Sequence, residues 1–197
     1  MILNMKSTLF ALIVLIACEN VQKDSKDFLK LAIDTLNTIN ITEERANLAL
    51  ELINKSITED SKNFMAYYWK ANILASYLNK PEKAKESINL GLKLKNKGKN
   101  NEINGLLLRG YVKLRNGEEY ENDYKLALEL VNKSLRKDSK NLNLIVKKLS
   151  ILSLIDKEKA IKYLVGIDDG IIDNDQKIKM KEYLSNLEIK DLIEINK

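Results

Sequence analysis

One cysteine, Cys18, stands directly behind an unbroken apolar run from Leu9 to Ala17. A thiol reacts as its thiolate, so covalent modification is chemistry open to this position, whereas an internal disulfide is excluded because there is no second cysteine. The chain has no histidine either, which removes Ser-His-Asp and Cys-His catalysis, histidine-based zinc sites and, with a single thiol, iron–sulfur cages. Acid–base work would fall to carboxylates such as Glu118 and Glu119. Glycoside hydrolysis needs two carboxyls about 5–10 Å apart across a cleft, and nothing in the spacing sets such a pair. Gly105 and Gly110 have phosphate-loop spacing, but Tyr111-Val112 follow where Lys and Ser/Thr are required, so these glycines are expected on a helix surface. Asp168-Asp169-Gly170 and Asp173-Asn174-Asp175 hint at calcium, yet counting from Asp173 the sixth position is Ile178 and the twelfth Leu184, where Gly and Glu are needed. A turn and a helix N-cap explain them better. Asn40-Ile-Thr42, Asn54-Lys-Ser56 and Asn132-Lys-Ser134 match the glycosylation sequon, but two of the three fall inside expected helices. No catalytic residue, metal site or cofactor is therefore expected.

Charge and aromatic residues point to surfaces rather than to reactions. Hydrophobic residues make up 45% of the 197, charged residues 31% and aromatics 6%, with a formal net charge of +5, a composition of folded, helix-rich proteins. Lys93, Lys95, Lys97 and Lys99 read as a solvated linker, with Glu118, Glu119, Glu121 and Asp123 as an acidic counterpart in a later turn. The lysines are diffuse and not interleaved with aromatics, so nucleic acid is not an expected partner. Phe64-Met65-Ala66-Tyr67-Tyr68-Trp69 concentrates the aromatic residues. On a helix, Tyr67 should enter the core and Tyr68 a partner-facing surface, with Trp69 open between the two.

The elements that would position these residues come in duplicate. LALELINKSITEDSKN (48–63) and LALELVNKSLRKDSKN (126–141) agree at 12 of 16 positions when shifted by 78 residues. The same shift places Ala32 on Gly110, Leu36 on Leu114, Ile73 on Ile151 and Leu74 on Leu152 without a gap. A spacing of 78 is two units of about 39 residues. Within a unit the apolar residues recur at helical spacing, as in Ala49, Leu50, Leu52, Ile53 and Ile57. Thr42 before Glu43 and Pro81 before Glu82 mark helix starts. Helices are expected near 25–38, 43–58, 64–78, 81–95, 102–115, 120–136, 142–155, 157–165 and 175–187, an all-α chain.

Two resemblances follow from these residues. Leu15-Ile16-Ala17-Cys18 resembles the lipobox of bacterial lipoproteins. That resemblance implies a signal peptide over 1–17, too short to span a bilayer as a helix, cut before a lipidated Cys18, then a short tether over 18–24. The small residues of the repeats resemble those of tetratricopeptide (TPR) repeats. Ala32, Ala71 and Gly110 stand at the first-helix small position, Ala49, Ala84, Ala127 and Ala160 at the second-helix alanine, and Ser56 and Ser134 at a later small position. The usual Trp is missing, Ser61 and Ser139 replace the terminal Pro, and the first and third units carry about five extra residues in their turns. The resemblance implies an α-solenoid of about four TPR-like helix-turn-helix units over 25–165, with a capping helix and tail over 166–197 in which Ile178, Tyr183, Leu184 and Leu187 close the open end. A generic α-solenoid or helical bundle is the alternative.

In such an array the first helices line a concave face. The register puts Leu29, Ile33, Tyr68, Asn72, Ser76, Asn104, Tyr111 and Arg115 on it, the last six being the expected partner-binding groove. Tyr68→Ala and Arg115→Ala should then weaken a partner with little loss of stability. The implied function is a lipid-anchored, non-catalytic scaffold of the bacterial envelope that binds a peptide or helix of another envelope protein. The alternatives are a surface-displayed lipoprotein that binds an external ligand or host protein, and a hydrolase using carboxylates.

Overall fold

The computed structural model describes residues 24–38 and 40–186. Cys18, the apolar run before it and Leu187 lie outside the described residues. Nine helices and no strand occur among the described residues: α1 Ser25–Leu36, α2 Glu43–Glu59, α3 Phe64–Ser76, α4 Pro81–Lys93, α5 Lys99–Arg115, α6 Glu121–Leu135, α7 Leu142–Ile155, α8 Lys157–Val165 and α9 Asn174–Asn186. Of these, none is long and apolar enough to cross a membrane.

Local chemistry sets most of the boundaries. Asp24 and Asp27 form a reciprocal capping box at the start of α1. Thr42 accepts from the Arg45 amide at 3.3 Å, Asn63 from the Met65 amide at 3.1 Å and Asn141 from the Leu144 amide at 3.2 Å. Pro81 occupies the first turn of α4, where its missing N–H leaves nothing unpaired. Asp156 ends α7 and caps α8 through the Lys159 amide at 3.0 Å, so these two helices turn on one residue. Gly117, with φ +69°, follows α5 in a backbone conformation that side chains resist. α5 starts at Lys99, three residues before the start expected from the sequence.

The helices pair as antiparallel hairpins, α1 with α2, α3 with α4, α5 with α6 and α7 with α8, and each hairpin stacks on the next through α2–α3, α4–α5 and α6–α7. α3 also touches α5, which places first helices side by side on one face. The core runs the length of the stack. Ile53, Ile73, Ile88, Ile103, Val112, Val131, Ile145, Ile151 and Leu164 are fully buried, each contributing on the order of 2 kcal/mol. The duplication governs this core: Ala49, Ile53 and Ile73 are as buried as their equivalents Ala127, Val131 and Ile151.

Buried polar groups join the units. At the start of α1, Ser25 Oγ donates to the Ser56 carbonyl at 2.9 Å, Ser56 Oγ donates to the Ser25 carbonyl at 2.7 Å, and Asn63 Nδ2 donates to Ser25 Oγ at 3.0 Å. At the far end α9 packs on α8 with Leu184 and Lys177 buried, the Lys177 ammonium held by the Ile167 carbonyl and Asp169. Ile178 and Tyr183 do not close the end as expected from the sequence: they are 57% and 62% exposed, because the phase of α9 gives its inner side to Lys177 and Leu184.

Candidate functional site

The first-helix face is built mainly by α3 and α5. Four-residue spacing puts Tyr68, Asn72 and Ser76 on one side of α3, and Asn104, Tyr111 and Arg115 rise in the same way along α5. All six are half-buried, as are Leu29 and Ile33 on α1. Tyr68 lies at the centre of an aromatic group, 6.2 Å from the Phe64 ring and 6.1 Å, edge-on, from Trp69. Burial pushes the Tyr68 phenol above the usual tyrosine range. Tyr68, Trp69 and Tyr111 all pack against the same stretch of core. Tyr67 does not enter the core: it is half-buried on the side facing α4, where a Cβ added to Gly91 would stand 3.0 Å from its own Cβ.

Arg115 joins the two helices. Its Nη1 donates to the Ala75 carbonyl at 2.7 Å, satisfying a backbone acceptor in the last turn of α3, and its guanidinium lies 5.9 Å from the centre of the Tyr111 ring. It is therefore a fastening between α3 and α5 as well as part of their surface.

A further pocket involves residues not read from sequence. α7 and α9 enclose a pocket of about 420 Å³ lined by Val146, Ser150, Leu154, Met180 and Tyr183. Val146 and Ser150 are Tyr68 and Asn72 shifted by 78 residues, so the duplication itself was the signal that would have extended the groove to α7. What α9 contributes carries no repeat signature and was not legible.

Several charged residues do other work than expected. Asp123 is buried, 2% exposed, not part of a solvated acidic turn. Its carboxylate accepts from Arg109 Nη2 at 2.6 Å and lies 3.0 Å from Lys113 Nζ, while Arg109 Nη1 donates to Asn89 Oδ1 at 2.9 Å. This cluster ties α4, α5 and α6. Glu118 meets Lys85 at 2.7 Å, which holds its carboxyl below the usual range, and Glu119 accepts from Asn122 at 2.9 Å. Glu118 and Asp123 are thus balanced from α4 and α5 rather than by the run at 93–99, where Lys97 lies 3.7 Å from Glu102. Gly105 and Gly110 lie in α5 as expected, but buried between helices rather than on its surface. Asp168 accepts from the Gly170 amide at 2.7 Å in a turn and Asp173 from the Gln176 amide at 2.8 Å at the start of α9.

No family model matches the chain, and no curated protein matches it. Among solved structures it is similar to that of TTC0263, a thermophilic TPR protein of Thermus thermophilus, with a TM-score of 0.53 and 17% identity over 81% of this chain and 80% of that one. What the likeness shows is the fold: the chain is an all-α solenoid of TPR-like helical hairpins.

Proposed function

We propose that the chain is a non-catalytic scaffold, lipid-anchored in the bacterial envelope through Cys18, that holds a peptide or helix of another envelope protein against its first-helix face. The observation that carries the binding half of this reading is the continuous half-buried face of Tyr68, Asn72, Tyr111 and Arg115 across α3 and α5. Aromatic and arginine side chains set in partly desolvated surroundings are the residues that dominate protein interfaces, and a groove between helices accepts an amphipathic helix through anchors at such spacings. The anchoring half rests on Leu15-Ile16-Ala17-Cys18.

A photocrosslinking residue placed at 68 and, separately, at 111 tests the groove in cells. One discrete envelope protein captured from both positions supports the scaffold, and absence of capture by a folded, membrane-bound chain rejects it. Cys18→Ala is expected to leave the precursor uncleaved and unlipidated; normal cleavage after Ala17 in that variant would reject the lipobox. Protease added to intact cells separates this reading from display outside the cell, where the chain would be digested without breaking the membrane.

A further inference from the structure

A second cavity lies where the end of α6, the first half of α7 and the end of α8 meet, with a volume of about 580 Å³, larger than the pocket between α7 and α9. It is separate from the first-helix face. Its lining combines two chemistries: leucine and isoleucine side chains with Tyr163, and the cations Arg136, Lys140 and Lys148, of which Lys148 is half-buried and the other two exposed.

Lys148 is the informative residue. Its Nζ sits 4.1 Å from the centre of the Tyr163 ring, a cation–π contact. Among the described residues no carboxylate lies within ion-pair distance of Lys148, Arg136 or Lys140. The acid at the cavity, Asp168, has Oδ1 occupied by the Gly170 amide. Partial burial pushes the Lys148 ammonium below the usual lysine range, so this cation has lost water without gaining an anion. An anion bound there would supply what the site lacks, and an arginine fork beside it suits phosphate or carboxylate geometry.

The duplication provides an internal comparison. Asn132 and Lys148 correspond at 78 residues to Asn54 and Lys70, and those two also line a common cavity, between α2 and α4 over α3. There the equivalent of Arg136 is Thr58, and that of Tyr163 is Lys85, which is itself paired with Glu118 and Glu82. The first-half cavity has Tyr67 and the acid Glu86 in its lining but no arginine, so the arginine and the lysine seated over a tyrosine ring distinguish the second cavity.

We propose that the cavity between α6, α7 and α8 binds a small anionic amphiphile, its phosphate or carboxylate head held by Arg136, Lys140 and Lys148 and its apolar part laid against Tyr163 and the leucine and isoleucine side chains of the lining. The cavity lining is as polar as it is apolar, which suits a small ligand that carries a charged head and an apolar part. The inference stands apart from the protein-binding reading, because it uses a different surface.

Isothermal titration of the full chain with octyl phosphate tests it, with inorganic phosphate and octanol as half-ligands. Octyl phosphate should bind at a single site, and neither half-ligand should match it. Lys148→Gln and Arg136→Gln should each weaken binding about tenfold, the loss expected for one charge-assisted hydrogen bond. Lys70→Gln should leave it unchanged, and circular dichroism reports whether each variant is folded. Dihexanoylphosphatidylglycerol, below its micelle concentration, distinguishes sources: binding comparable to octyl phosphate identifies a lipid headgroup, much weaker binding a free anionic metabolite. Absence of octyl phosphate binding overturns the proposal. So does binding that the Lys148→Gln/Arg136→Gln double variant retains, or octanol binding as tight as octyl phosphate.

Discussion

Tyr124 is 2% exposed, and its ring fills the space beside Gly110. Burial pushes its phenol above the usual tyrosine range, with smaller pushes from Tyr120, Asp123 and Tyr111. A folded-state value above the ordinary 10.0 favours the protonated form. The stability it confers is complete below that ordinary value and is lost as pH rises above it, where the unfolded chain releases a proton that the folded chain keeps. Thermal melts between pH 9 and 11 should therefore show wild type losing stability faster than Tyr124→Phe, by about 1.4 kcal/mol per pH unit once the unfolded tyrosine ionises. Equal slopes would contradict the assignment. The Tyr68, Tyr120 and Tyr163 phenols are raised by burial too, so the variant retains part of the alkaline sensitivity. None of this was visible in composition. Asp123 illustrates why: among Glu118, Glu119, Glu121 and Asp123, the helical phase that it shares with Ala127 and Val131, both fully buried, selects it for the interior.

At the scale of elements, the close approach of α5 and α6 depends on a missing side chain. A Cβ on Gly110 would stand 2.7 Å from Tyr124 Cε1 and 3.0 Å from its Cδ1 and Cζ. In the first half of the duplication the same pair is Ala32 and Ala46, both fully buried, so the larger partner in the second half goes with the smaller residue opposite. Gly110→Ala gains about 1 kcal/mol of helix propensity but incurs an overpacking cost of about 1–3 kcal/mol. The expected net result is a loss of about 1 kcal/mol by urea unfolding, which should shrink or reverse in a Tyr124→Ala background. A loss of the same size in both backgrounds would show that the two residues are not coupled. The helices themselves were legible to within a few residues because their signals are local: Thr42, Asn63, Pro81 and Asp156 act on amides and carbonyls a turn away. α5 was read late because Lys99, Asn100 and Asn101 continue the polar character of the preceding turn, and its apolar period begins at Ile103. Contacts between helices distant in sequence, such as Arg115 with Ala75, leave no such mark.

For the whole molecule, the groove and the stability of the stack are linked. Arg115 belongs to the first-helix face and also carries a hydrogen bond to the Ala75 carbonyl, so the sequence-based expectation that its removal is structurally mild does not hold. Arg115→Ala should lower unfolding stability by about 1.5–3 kcal/mol, the range for hydrogen bonds to a charged group. Asn72→Ala, half-buried with no such tie, should stay within about 0.5 kcal/mol. Urea titration of both variants separates these outcomes, and equal effects would show that the Arg115 bond carries no weight. The same measurement identifies Asn72 as the cleaner reporter of the proposed partner binding, since it makes no bond that fastens α3 to α5. The repeat architecture was legible because duplication writes one pattern twice, while α9 and its share of the terminal pocket occur once and offered nothing to compare.

The two serines at the start of α1 gain a mechanical meaning from their place in the chain. Any tension that reaches the fold from its N-terminal side arrives beside Ser25, whose carbonyl and hydroxyl are both engaged by Ser56 on the neighbouring helix, with Asn63 on the hydroxyl. Peeling α1 from α2 would break these short bonds together at the first step rather than one after another. The stack therefore has its clasp at the point where a tether would pull, and such a pull would be shared at once between α1 and the far end of α2.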